Sequence, residues 1–294
     1  MKVLSREHTG FFSDTQVWVV ESDAVGARFR VTISSPGVPL PEGVRAGVVI
    51  STDGDLSAGT AISTLRNLGL GGGFPPLWSV NIGYPLDSAP SHLLLRNRDF
   101  TPSTMPAFDE KAPLLMGGSD PVASGGADEF LAFILDELCP VLAEEFAMDL
   151  DDMTLTGASL GGLFTLHAYL QRPHGFRRYL SISPSVWWDD KLVLRRAEEA
   201  SGTDSADARI FLCVGELESL DHIKAAKAGL SSKILEVVNV IFPDVDMQGD
   251  VDAIARVLGK RSGVIVKALV LPDETHQSIG GAAFSRGLRW LYSN

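Results

Sequence analysis

The chain has 294 residues, 45% of them apolar and 21% charged, enough apolar matter for one large core and too little charge for wholesale disorder. A formal net charge of −12 repels phosphate backbones and anionic membranes at long range, which argues against nucleic acid and membrane surfaces as partners. Two cysteines, Cys139 and Cys213, are too few for a disulfide framework or a thiolate metal site, and their apolar surroundings predict two buried free thiols.

The first eight residues lack an apolar h-region, and no apolar run approaches the roughly 20 residues that span a bilayer. A cytoplasmic protein with a disordered start around His8 is expected. Residues 15–21 and 27–34 are rich in β-branched side chains and flank a turn, so they predict an antiparallel strand pair. From residue 44 onward short apolar runs alternate with helical patterns. Strands are predicted over 44–51, 78–83, 153–156, 179–183, 210–214 and 264–271. Helices are predicted over 128–146, 160–170, 190–200, 223–230, 252–258 and 284–291, with Pro140 kinking or restarting the first. That alternation predicts a single α/β domain over 1–294, with a mostly parallel central sheet, an antiparallel N-terminal pair and helices on both faces. Residues 98–127, rich in Pro, Gly and Ser, read as a long irregular stretch, either a lid or substrate loop or a mobile surface excursion.

The motif Gly157-Ala158-Ser159-Leu160-Gly161 follows an apolar strand and opens an amphipathic helix. A serine on a sharp strand-to-helix turn projects its hydroxyl above the sheet, and the crowded turn demands small residues two positions before and after it. Ser159 is therefore the candidate nucleophile. A hydroxyl needs a base to take its proton. Of the six histidines, His276 lies in a polar loop after the last predicted strand, on the face where strand ends build active sites. His167 reads as a packed or solvent-facing helix residue, while His92, flanking a strand, is harder to dismiss. The acid is expected after strand 210–214, where Glu218 leads Glu216 and Asp221; the order Ser159, acid, His276 is that of α/β-hydrolases. The N–H of Leu160 and that of Asp55, in the loop Thr52-Asp53-Gly54-Asp55, are the candidate oxyanion donors.

At these residues the chain resembles the putative-esterase branch of the α/β-hydrolases, which includes enterochelin, salmochelin and bacillibactin siderophore esterases. The resemblance runs from about residue 15 to the C-terminus. It rests on Val80-Asn81-Ile82-Gly83-Tyr84-Pro85, Arg96-Asn97-Arg98-Asp99-Phe100-Thr101-Pro102, the elbow, Ser181-Ile182-Ser183-Pro184-Ser185, Val214-Gly215-Glu216-Leu217-Glu218 and the His276 loop. It implies Ser159 and His276 as a catalytic pair, Glu218 as the acid where one is used, Asp55 as an oxyanion donor and Arg98 as a residue shaping the substrate site. The expected function is hydrolysis of a small-molecule carboxylic ester through an acyl-enzyme, with no metal and no organic cofactor. Thioester hydrolysis or acyl transfer on the same triad, and a catalytically silent binding module, are the alternatives. An iron-loaded catecholate siderophore is strongly anionic, and an acidic chain without a dense basic cluster suits it poorly.

Overall fold

The computed structural model describes residues 1–9, 12–88, 91–116, 121–200, 207–242 and 245–293. The apolar runs form strands β1 (Lys2–His8), β2 (Thr15–Ser22), β3 (Ala27–Ser34), β4 (Ala46–Ser51), β5 (Trp78–Gly83), β6 (Met148–Ala158), β7 (Arg178–Ile182), β8 (Ala208–Gly215) and β9 (Val264–Leu271). Among the described residues they make one sheet in the order β1-β2-β3-β5-β4-β6-β7-β8-β9. The pairs β1–β2, β2–β3 and β3–β5 are antiparallel, and every pair from β5 to β9 is parallel. All of β4 is buried, as a Val-Ile run covered on both faces must be. This is the α/β-hydrolase fold.

The helices are α1 (Gly54–Leu70), α2 (His92–Phe100), α3 (Pro106–Met116), α4 (Ala127–Ala132), α5 (Cys139–Glu145), α6 (Leu160–Gln171), α7 (Trp188–Glu199), α8 (Leu220–Ala228), α9 (Ser232–Ile241), α10 (Met247–Leu258) and α11 (Ile279–Leu291). On one face of the sheet Ala61 and Leu65 of α1 and Phe284, Leu288 and Leu291 of α11 pack with Val49, Leu180 and Phe211. The larger core on the other face gathers Phe130, Phe133, Phe164, Trp188 and Leu258 around Val48, Leu155 and Ile210. None of the helices among the described residues is long and apolar enough to cross a membrane. Both cysteines are buried free thiols.

Strand order places the site. After β4 the chain lays β5 on one side and β6 on the other, so the loops leaving β4 and β6 diverge at a switch point. Register aligns the strand ends: Ser51 pairs with Thr156, Ala158 with Ile182, and Gly215 with Leu271. The segments that follow, 52–55, 159–160, 183–185, 216–218 and 272–278, therefore all leave from the carboxyl end of the parallel strands.

Several features depart from the expectations, among them helix α9, which lies where no element is predicted. The start is ordered: Lys2–His8 pairs with β2 as an edge strand, and its Lys2, Arg6 and Glu7 suit an exposed edge. Residues 54–70, whose three glycines weaken any helical signal, form α1 because Ala61 and Leu65 bury against the sheet. The stretch 98–127 is not irregular throughout: α2 runs to Phe100, and Pro106 opens α3, while residues 117–120 lie outside the described residues. The helix predicted over 128–146 is interrupted by a π-helical turn at Phe133–Leu138, after which Pro140 sits in the first turn of α5, where its missing N–H costs least.

Candidate active site

Ser159 joins β6 to α6 with φ 59° and ψ −118°, a conformation that a non-glycine residue holds only when its surroundings impose it. The imposition is visible in the backbone. The Ser159 N–H donates to the Ile182 carbonyl at 2.9 Å, and the Ser159 carbonyl accepts from Leu163 N–H at 2.9 Å and Ser185 N–H at 3.1 Å. The Ser159 and Ser185 hydroxyls lie 3.4 Å apart. Flanking glycines make the turn possible: a Cβ at Gly157 would collide with the Gly161 carbonyl and the Thr52 hydroxyl, and one at Gly161 with the same hydroxyl. Gly157→Ala is accordingly expected to destabilise the fold by about 3 kcal/mol through overpacking against backbone, lowering Tm by roughly 5 °C. A calorimetric scan matching wild type would refute that steric account.

His276 sits in the loop after β9, with its side chain about one-third exposed at 35%. Its Nδ1 lies 2.5 Å from Glu218 Oε2. The other carboxylate oxygen accepts the Ser183 hydroxyl at 2.6 Å and the Gly215 N–H at 2.8 Å. Burial pushes the Glu218 carboxyl up, but hydrogen bonding and charge from His276, with Ser183 and Gly215, outweigh it and hold the group below its ordinary 4.5. Of the three acids considered, only Glu218 bonds the imidazole. Glu216 instead accepts the Asp273 N–H at 3.0 Å, and Leu217 N–H donates to the Glu274 carbonyl at 3.0 Å, so the 216–218 turn is fastened to the histidine loop. Asp221 is an exposed first-turn residue of α8. His167 is a buried packing residue, bonded by Nε2 to Asp128 at 2.8 Å and by Nδ1 to Arg196 at 3.3 Å. His92 opens α2 and does not flank a strand.

Ser159 and His276 both line one cavity of 610 Å³. Its wall is largely apolar, with Leu56, Leu93, Ile279 and Phe284, and its cation is Arg96. That guanidinium is committed to both oxygens of Asp53, at 2.7 and 2.8 Å, and also donates to the Ala158 carbonyl at 3.2 Å. Such a serine, imidazole and carboxylate set is equipped for acyl transfer.

The family model described as Putative esterase matches residues 97–245, half of the chain. The chain belongs to this esterase family. The ferri-bacillibactin esterase BesA of Bacillus subtilis is 28% identical over 282 residues, covering 90% of this chain and 93% of that protein. The siderophore triacetylfusarinine C esterase of Aspergillus fumigatus is 38% identical over 120 residues, 40% of this chain and 37% of that one. The crystal structure of the BES protein from Bacillus cereus superposes with a TM-score of 0.75 at 26% identity, covering 99% of both chains. The protein is thus a serine hydrolase of carboxylic esters.

Arg98 and Asp55 of this esterase both make ion pairs through their side chains. Arg98 is not on the cavity wall: it binds Asp99 through two nitrogens at 2.7 and 3.0 Å, and Asp99 also accepts the Tyr84 hydroxyl at 2.8 Å. Arg96 takes the wall position, because residues two apart on a helix point to different sides. The Asp55 carboxylate accepts from Arg30 at 2.5 Å and the Tyr84 N–H at 2.9 Å, and the residue's one donor is its backbone N–H, in the first turn of α1. Leu160 opens α6 with a buried side chain and likewise has only its N–H to give. Among the described residues no group of three or more His, Cys, Asp or Glu side chains is placed to hold a metal ion.

Proposed function

We propose that Ser159 is the nucleophile, His276 its general base and Glu218 the acid that orients the ring, within a single domain spanning 1–294. The observation that carries this reading is that Ser159, strained on its turn, and His276, bonded to Glu218, open onto one cavity. The Ser159 oxygen attacks the ester carbonyl carbon while its proton passes to His276 Nε2. The tetrahedral oxyanion is held by the Leu160 N–H and, from the start of α1, the Asp55 N–H. Collapse breaks the bond to the alkoxy group, which leaves with the proton from His276, and water repeats the sequence in reverse to free the acid. The described part of residues 98–127 serves as a cover over the substrate, since α2, which runs into that stretch, supplies Leu93 and Arg96 to the wall.

The relatives named as siderophore esterases favour an oxygen ester over a thioester, and an oligoester of siderophore type as the natural substrate. Charge narrows the choice. With Arg96 neutralised by Asp53 and a chain charge of −12, the site suits an uncharged or iron-free ester better than an iron-loaded tris-catecholate. The test is a panel of p-nitrophenyl esters of graded acyl length, an uncharged cyclic trilactone and an iron-loaded catecholate trilactone. We expect kcat/KM for the uncharged trilactone to exceed that for the iron-loaded one at least tenfold, with a gap that narrows as salt screens the field. Preferred cleavage of the iron-loaded substrate would overturn the charge argument while leaving the esterase reading in place.

A further inference from the structure

The Ser183-Pro184-Ser185 turn leaves β7 beside the nucleophile and takes no step in the reaction proposed above. Its first residue is unusual: Ser183 is non-glycine, 1% exposed and held at φ 40°. Its N–H donates to the Cys213 carbonyl at 2.7 Å, which fixes the backbone against β8. Its hydroxyl donates to Glu218 Oε1 at 2.6 Å, opposite the oxygen that meets His276 at 2.5 Å. The same turn brackets Ser159, since the Ile182 carbonyl accepts the Ser159 N–H and the Ser185 N–H donates to the Ser159 carbonyl. Gly162 is what lets α6 come this close: a Cβ there would press on the Ile182 carbonyl and on Pro184.

We infer that Ser183 is a positioning residue of the catalytic machinery, which holds the Glu218 carboxylate at the angle His276 requires and ties the acid to the element that supports the nucleophile. The inference rests on the reading of Glu218 as the orienting acid. Two features separate this from ordinary packing. The Ser183 bond is charge-assisted and falls on the very carboxylate that meets His276: with the Gly215 N–H, the Ser183 hydroxyl fills Oε1 and so fixes the direction in which Oε2 faces the ring. The donor is also set in a backbone conformation that a serine adopts at a cost, and such strain persists where the surroundings over-determine it.

The experiment is a double-mutant cycle on an activated ester. Ser183→Ala is expected to lower kcat by about ten- to hundredfold, the loss of one charge-assisted hydrogen bond, with KM within about twofold. Ser183→Gly removes the same hydroxyl and is at ease at positive φ, so it gives the same result in a fully folded protein even if the alanine variant folds poorly. In the Glu218→Gln background, removing the Ser183 hydroxyl should cost less than about threefold, because the carboxylate through which it acts is gone. Equal losses in both backgrounds would make Ser183 a residue of the scaffold alone and overturn the inference. A Glu218→Gln enzyme with wild-type kcat would remove the acid and this inference together, a result distinguishable from the first.

Discussion

Ser159→Ala is expected to lower kcat by about a million-fold, with KM within a few-fold and the fold intact. The magnitude follows from what the residue supplies. Without the oxygen no covalent intermediate forms, and the remaining N–H groups and cavity can only assist direct attack by water, which is the residual catalysis seen when other serine hydrolases lose a triad member. The substitution should not harm stability, because the side chain lies on the cavity wall and alanine accepts the local backbone no worse than serine. Fluorophosphonate labelling gives an independent readout: one adduct on Ser159 in the wild type, and none in the alanine variant. Turnover retained by that variant, or an adduct on Ser185, whose hydroxyl is 3.4 Å away, would move the nucleophile elsewhere.

Much of this site could be read from the chain because its chemistry depends on local backbone demands. A serine between two obligatory glycines, preceded by a strand and followed by a helix, carries its geometry in five residues. His276 and Glu218 were legible because each follows a recognisable apolar strand, and in a parallel sheet strand ends converge whatever lies between them. What escaped depends on contacts that sequence spacing does not report. Arg96 and Arg98 look equivalent until α2 is known to be a helix, which turns one to the cavity and the other to Asp99. Ser183 lies in a stretch that carries the family resemblance, but nothing in it assigns the residue a task; its role arises from a positive φ that aims a common side chain at a carboxylate 35 residues away. Helix α1 was hidden for a related reason. Its glycines and β-branched residues give a poor intrinsic signal, and burial of one face against the sheet overrides it.

Glu218→Gln should lower kcat by about a thousand- to ten-thousandfold while leaving the shape of the site unchanged. In the proposed mechanism the carboxylate, 2.5 Å from Nδ1 of His276, accepts its proton and so leaves Nε2 bare to act on the serine. A glutamine amide can donate to Nδ1 instead, which stabilises the opposite tautomer, with Nε2 protonated and unable to take the Ser159 proton. The same substitution has a signature in stability against pH. Because the folded carboxyl is held below its ordinary 4.5, its contribution to stability is full above that value and is lost as pH falls through the lower folded value. The stability deficit of the glutamine variant should therefore be largest near neutrality and shrink as pH falls from 4.5 through the lower folded value, where the wild-type carboxyl also becomes neutral. Urea titrations of both proteins at pH 7 and at pH 3 measure that difference. A deficit that is constant or grows in acid would mean that the carboxyl is not held ionised by its partners, and Glu218 could not then serve as the charged anchor of the imidazole.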